Sequence, residues 1–239
     1  MEKRELLYEG KAKQIYATDN SEIVWVEYKD SATAFNGEKK SEIAGKGMLN
    51  NQITSLLFSK LAQENIPSHF IEKLSDREQL VKKVSIIPLE VVVRNTAAGS
   101  FSKRTGIEEG QPLKKTLVEF YYKDDELGDP LLTEDHIEEL ELASKEDVAI
   151  LKEKAQEINK VLTTLFKEMD IKLIDFKLEF GKTSDGAILL ADEISPDTCR
   201  LWDVATNEKL DKDVFRRDLG SLTDAYEKIL AKLEGIQHV

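Results

Sequence analysis

Between Leu173 and Phe180 the chain reads LIDFKLEF, with polar and apolar side chains alternating strictly. Leu173, Asp175, Lys177 and Glu179 fall on one side of an extended chain, and Ile174, Phe176, Leu178 and Phe180 on the other. A period of two predicts a strand with one face against a core and one polar face. Gly181 to Gly186 supplies a hairpin loop, with glycine available wherever the turn needs a positive φ. Ala187 to Ile194 returns as a mostly apolar strand that ends in Asp192 and Glu193. The hairpin can therefore gather Asp175, Lys177, Glu179 and Asp192, although alternation alone leaves its register open.

The rest of the pattern surrounds this hairpin. Leu6–Tyr8, Gln14–Ala17 and Ile23–Tyr28 are three short runs of strand formers, separated by turns at 9–13 and 18–21. Asp30 to Lys40 reads as a polar loop with a turn at Asn36-Gly37. Ile43, Met48, Ile53, Leu56, Leu57 and Leu61 predict a helix over 42–64, followed by strands over 70–74 and 79–84. Leu89–Val93 is a buried-type strand that runs through Arg94 to a helix start at Ser100. A strand over 116–122 leads into an acidic loop, Lys123 to Pro130, and then a short helix over 133–142. Ser144 caps a long helix reaching Met169, Ser195 to Asp197 is a turn, and 218–233 predicts a closing helix. Strands first and helices later make the class α+β. The expected division is a β-rich lobe over 1–85 and an α+β lobe over 86–239.

Charge narrows the chemistry. With 34 Lys and Arg against 46 Asp and Glu the net charge is −12, which argues against nucleic acid or an anionic membrane as partner. Any phosphate must be held by locally placed cations. One cysteine, Cys199, excludes an internal disulfide, and His69, His136 and His238 show no metal-ligand spacing. Cys199 has no histidine near it in sequence and reads as an inert thiol. No run reaches signal-peptide or membrane-spanning length, so a cytoplasmic protein is expected.

Carboxylates clustered with a lysine suit a magnesium–nucleotide site, because Mg²⁺ takes one or two carboxylates plus phosphate oxygens. Cross-strand ion pairs on a solvated face give the same pattern. Gly10 with Lys11 and Lys13 offers amides and cations to an anion; it is nearer a kinase glycine-rich loop than a Walker loop, whose GxxxxGK[ST] is absent. Arg94 with Ser100, and Arg200 beside its turn, are candidate anion ligands, or a surface arginine and an N-cap serine.

The stretches YEGKAKQIY, IIPLEVVVRNTAAGS, LIDFKLEFG and DEISPDTCRLWD, in this order and spacing, resemble the SAICAR synthetase family of purine biosynthesis, from about Leu6 to Tyr226. The resemblance implies a two-lobed fold: a kinase-like strand-rich N-terminal lobe, a larger C-terminal lobe, and ATP in the cleft between them. It implies ligation of L-aspartate to the carboxylate of carboxyaminoimidazole ribonucleotide (CAIR), with ATP cleaved to ADP and phosphate through an acyl phosphate. Residue by residue, it implies that Lys11, Ala12 and Lys13 line the ATP phosphates and that the Lys82–Val84 segment forms the adenine-side hinge. Glu179 and Asp192 would hold Mg²⁺, and Asp175 and Lys177 would stand at the reacting carboxylate. Arg94, Ser100 and Arg200 would bind the ribonucleotide, largely by its phosphate, and Lys123 and Asp129 would help with aspartate. Family members often carry Gly-Ser where this chain has Thr198-Cys199, a change beside a ligand and not of one. A homodimer is implied in the same way. Two rivals use the same residues: a phosphotransferase acting on a hydroxyl, and a nucleotide-binding module without catalysis.

Overall fold

The computed structural model describes residues 1–34 and 37–236; Asn36 of the expected turn, and His238, lie outside the described residues. The first part of the chain runs β1 (Lys3–Glu9), β2 (Lys13–Thr18), β3 (Ile23–Tyr28), β4 (Ser31–Ala34), β5 (Lys39–Glu42), α1 (Lys46–Gln63), β6 (Phe70–Lys73) and β7 (Glu78–Lys82). There follow β8 (Ser85–Thr96), α2 (Gly99–Thr105), β9 (Pro112–Tyr122), β10 (Leu131–Leu132), α3 (Glu134–Glu139) and α4 (Lys145–Glu168). The last elements are β11 (Ile171–Lys182), β12 (Ile188–Ala191), β13 (Cys199–Asp203), α5 (Asp213–Arg216) and α6 (Leu222–Ile236). The class is α+β, as the order of strand and helix signals predicted.

β4 and β5 form a two-stranded pair of their own, and two larger antiparallel sheets carry the other strands. One has the order β1-β2-β3-β7-β6, and the other β10-β9-β8-β11-β12, with β13 also paired to β11. The alternating strand of the sequence is thus the central strand β11. It pairs with β8 along one edge; along the other it pairs with β13 over residues 171–176 and with β12 over 179–182. The segment joining β12 to β13 must leave the sheet at Lys177, where the Lys177 N–H donates to the Thr198 carbonyl (2.8 Å). This notch in one edge of β11 opens the cleft.

One large cluster forms the main core, with smaller ones in the first sheet (Val24, Val26, Tyr28, Val81) and around Trp202. Leu57 and Phe58 of α1, Leu151, Ile158 and Leu162 of α4, and Ile229 of α6 pack against Val91, Val93, Phe176 and Leu178 of the second sheet. At roughly 1.5–3 kcal/mol per fully buried large apolar side chain, this helix–sheet layer is the main source of stability. The helix that precedes β8 in sequence therefore shares a core with the sheet that follows it. A capping box joins Ser144 to Asp147 at the start of α4, as the sequence predicts.

Three expectations are corrected. The expected loop over Asp30 to Lys40 instead carries two strands, Ser31–Ala34 and the start of Lys39–Glu42, which pair antiparallel with Ser31 opposite Glu42. The helix expected from residue 42 starts at Lys46, because Gly45 at φ 88 turns the chain into it. Gly47 is then required, since a Cβ there would lie 2.7 Å from the Lys29 carbonyl oxygen. The alternation of β11 also breaks. Leu173 packs in the main core with Phe176, and Ile174 packs on the other face with Ala98 and Trp202. A bulge against β13 between Leu173 and Asp175 makes the switch, which an unbroken period of two cannot show. Helix α5 carried no sequence signal.

Candidate active site

A cleft of about 370 Å³ lies over the notch in β11. Lys11 and Ala12 of the β1–β2 turn, Thr33 and Ala34 of β4, Glu90 and Arg94 of β8, and Asp175 and Lys177 of β11 line it. The 192–200 segment, Lys212 and Arg216 close the other side. Its charged groups fall into two sets.

The first set is built on Asp175. Register places Asp175 opposite Arg94 on β8 and opposite Arg200 on β13, so both guanidinium groups point at one carboxylate. Arg94 Nη1 donates to Asp175 Oδ2 (2.8 Å), and Arg200 Nη1 donates to the same oxygen (3.0 Å). Arg94 also donates to Glu119 (2.7 Å), the Ser100 hydroxyl (3.1 Å) and the Tyr121 hydroxyl (3.1 Å), and Arg200 Nε donates to Asp213 (3.0 Å). Burial opposes the charge on Arg94, yet Asp175 and Glu119 outweigh it and raise its pKa. Gly99, at φ 52, is the only residue type that fits here, because a Cβ would collide with the Arg200 guanidinium.

The second set is built on two lysines. Lys13 pairs with Asp192 and lies 3.7 Å from Glu193 Oε1. Lys177 Nζ donates to Glu179 Oε1 (2.5 Å) and stands 3.1 Å from Glu90 and 3.7 Å from Asp192. Glu179 and Glu90 are directly opposed across the sheet, so Lys177 bridges two like charges that would otherwise repel. Burial alone would lower the Lys177 pKa; Glu179, Asp192 and Glu90 outweigh it and hold the ammonium well above the ordinary lysine range. Burial likewise works against the Asp192 charge, but Lys13 and Lys177 hold its carboxyl below the usual carboxylate range. Burial pushes the neighbouring Glu193 up, and its Oε2 has no hydrogen-bond partner. Asp192 adopts φ 57 at the end of β12, a left-handed turn that Asp tolerates better than most residues, and its carbonyl meets His69 Nε2 at 3.2 Å.

Most residues singled out in the sequence converge here. Lys11, Ala12, Arg94, Asp129, Asp175, Lys177, Asp192 and Arg200 line the cleft, while Lys13, Glu179 and Ser100 are bonded to residues that do. Lys123 reaches Glu179 at 3.2 Å, and Asp129 Oδ1 accepts the Asp124 N–H (3.0 Å) within its own loop. Lys82 and Val84 stand apart: Lys82 is exposed at the end of β7, and Val84 packs over Gly181. Asp175 does not join Lys177 and Glu179, contrary to the gathering expected of the hairpin. Sharing a strand face was enough to align them, but the arginines on both adjacent strands capture Asp175. Cys199 is buried, and burial pushes its thiol up, as expected of an inert cysteine.

Other members carried little or no signal. Glu90 and Glu119 are lone charges within strand runs, a cue that a buried strand spends a carboxylate on a partner. Lys46 is wholly buried at the start of α1, with Nζ 2.6 Å from Asp197 Oδ2, and the Tyr226 hydroxyl donates to Asp197 Oδ1 (2.5 Å). Nothing local in the sequence marks that junction. Among the described residues no three His, Cys, Asp or Glu side chains form a ready-made metal cluster.

A cleft whose buried cations and carboxylates alternate, under a strand-rich sheet with a lysine-bearing turn, belongs to an enzyme that handles phosphorylated, anionic substrates. The family model of SAICAR synthetase matches residues 6–233. Phosphoribosylaminoimidazole-succinocarboxamide synthase of Bacillus cereus (strain 03BB102) is 67% identical over 239 residues, covering 100% of both chains. The crystal structure of the synthase from Ehrlichia chaffeensis is 50% identical with a TM-score of 0.94, covering 96% of this chain and 98% of that one. A SAICAR synthetase solved in complex with ADP is 46% identical with a TM-score of 0.93, over 95% of this chain and 97% of that one. The chain belongs to the SAICAR synthetase family.

Proposed function

We propose that this chain joins the amine of L-aspartate to the carboxylate of CAIR, with ATP cleaved to ADP and phosphate, as its family membership and the chemistry of the cleft support. A carboxylate is a poor acyl donor. Transfer of the γ-phosphoryl group to a CAIR carboxylate oxygen expels ADP and leaves an acyl phosphate. The aspartate amine then attacks the acyl carbon, the C–N bond forms, phosphate departs, and the nitrogen loses a proton. The protein's part is to neutralise and align anions.

The observation that carries the reading is the lysine set: two half-buried ammonium groups and two carboxylates, Lys13, Lys177, Glu179 and Asp192, meet at one cleft. In this assignment Lys11, Ala12 and Lys13 face the ATP phosphates, and Lys177 offsets charge developing at the reacting carboxylate beside Asp175. Arg94, Ser100 and Arg200 take the ribonucleotide phosphate, for which the planar fork of arginine suits bidentate contact. Lys123 and Asp129 belong to the acidic loop that borders the aspartate side, and Lys82–Val84 serve as the adenine-side backbone. Glu179 and Asp192, with the unpartnered Glu193 oxygen next in the chain, fit a hard divalent cation that needs only one or two protein carboxylates besides phosphate oxygens. Mg²⁺ held there would neutralise phosphate charge. We take the lobes to divide near residue 85 and the working form to be a cytoplasmic homodimer, on the strength of the family resemblance.

The test is ADP release by the purified protein with Mg-ATP, CAIR and L-aspartate, each omitted in turn. Release that needs all three, with one succinocarboxamide formed per ADP, is the expected result. Release that persists without aspartate would favour a phosphotransferase, and binding of ATP without turnover would leave a binding module.

A further inference from the structure

Six basic side chains line the cleft: Lys11, Arg94, Lys177, Arg200, Lys212 and Arg216. Five already donate to a carboxylate: Lys11 to Asp125, Arg94 and Arg200 to Asp175, Lys177 to Glu179, and Arg216 to Asp213. Lys212 is the exception. Its ammonium makes no hydrogen bond to any described residue, and its nearest carboxylate oxygen is Asp197 Oδ2 at 3.7 Å. That carboxylate is already engaged, by Lys46 at 2.6 Å and by the Tyr226 hydroxyl at 2.5 Å. The lysine is nevertheless held in place, because its backbone N–H donates to the Pro196 carbonyl (3.0 Å) and it opens α5, whose Asp213 grips Arg200. Burial lowers its pKa by more than Asp197 raises it, and Lys46 and Arg216 add to the lowering, so an arriving anion would relieve an under-compensated charge.

We propose that Lys212 binds a carboxylate of the amino-acid acceptor and so helps to select a dicarboxylic amino acid. The inference rests on the ligase reading, which calls for three anionic substrates in one cleft. The lysine set and the arginine set serve two of them. Lys212 shares the cleft with Asp175 and Lys177, where the amine must arrive, and the next residue, Asp213, bonds Arg200 of the arginine set. A polar substrate group that meets a waiting buried cation contributes strongly to selectivity, because an analogue lacking that group leaves the cation unpaired.

The test uses the full chain with Lys212→Ala and Lys212→Arg, and reads KM separately for each substrate. Lys212→Ala should raise the KM for L-aspartate about 10- to 100-fold, and should weaken competitive inhibition by succinate, a dicarboxylate without the amine, by a similar factor. The KM values for ATP and CAIR should stay within about twofold, and Lys212→Arg should restore part of the loss. An increase confined to the KM for CAIR, or a fall in kcat with every KM and the succinate inhibition unchanged, would overturn the assignment. Thermal melting and ATP binding of each variant separate misfolding from a specific loss, and Lys212→Arg carries the test if the alanine variant does not fold. Coupled ADP release by the wild-type chain together with an unaltered aspartate KM in Lys212→Ala sinks this inference alone. Absence of coupled release in the wild type sinks the ligase reading itself.

Discussion

The two charged sets of the cleft differ in how firmly each cation is tied down. Arg94 is held at once by Asp175, Glu119, Ser100 and Tyr121, and Arg200 by Asp175 and Asp213. A planar guanidinium presents donors in several directions, so it can be fixed by the protein and still offer an edge to a phosphate. The lysines are point charges on flexible stems, and their partners, Glu179 and Asp192, are the carboxylates assigned to the metal. On the proposed assignment the arginine set is a rigid receptor, while the ion pairs of the lysine set would give way to phosphate and cation during turnover.

The sharpest way to break that comparison is to remove the divalent cation. Chelation with EDTA should abolish ADP release, with recovery on adding Mg²⁺, and should leave the melting temperature of the ligand-free protein nearly unchanged. A large fall in that melting temperature would mean the carboxylates are structural.

Next in size is Lys177→Ala, which should lower kcat by about 10²- to 10³-fold, as loss of a charge that stabilises the transition state does. ATP binding, read by equilibrium titration, should change by no more than a few-fold. Activity within a few-fold of wild type would show that Lys177 merely bridges Glu90 and Glu179.

Arg94→Ala should act on binding. A 10- to 100-fold rise in the KM for CAIR is expected, about 1.4–3 kcal/mol, with the KM for aspartate nearly constant. Equal changes in both would make the arginine set a structural brace. The variant should also lose stability, because buried Asp175 keeps only Arg200.

The smallest effect concerns pH. His69, packed against Phe58 and bonded to the Asp192 carbonyl, is pulled down to about 4 by burial, with Lys13 adding to it. The unfolded chain binds a proton near the ordinary histidine value of about 6.5. Between those values the unfolded state holds more protons, so stability falls as pH drops from about 6.5 to about 4. The loss reaches about 2 kcal/mol at pH 5 and is absent above pH 7. Urea unfolding of wild type and His69→Gln across this window should show the steeper slope in wild type; parallel slopes would mean His69 titrates normally.

What the sequence determined by itself is local. The period of two in 173–180, the helical spacing in 145–168 and the Ser144 cap depend on neighbours within one element, and those elements are present where the pattern puts them. The residues singled out in the motifs include Lys11, Arg94, Asp175, Lys177, Asp192 and Arg200 among the charged side chains of the cleft, but not Glu90, Lys212 or Arg216. Tertiary structure decided who faces whom. Asp175 leaves Lys177 and Glu179 for two arginines because β8 and β13 bring Arg94 and Arg200 opposite it, and register is a property of the assembled sheet. Leu173 and Ile174 exchange faces at a bulge that only pairing with β13 creates. Lys46 meets Asp197, and Lys212 is left short of a partner, through contacts 151 and 15 residues apart in the chain. Periodicity is written residue by residue. A buried charge finds its partner only when separate elements close around it, and there the cost of leaving it unpaired selects the geometry.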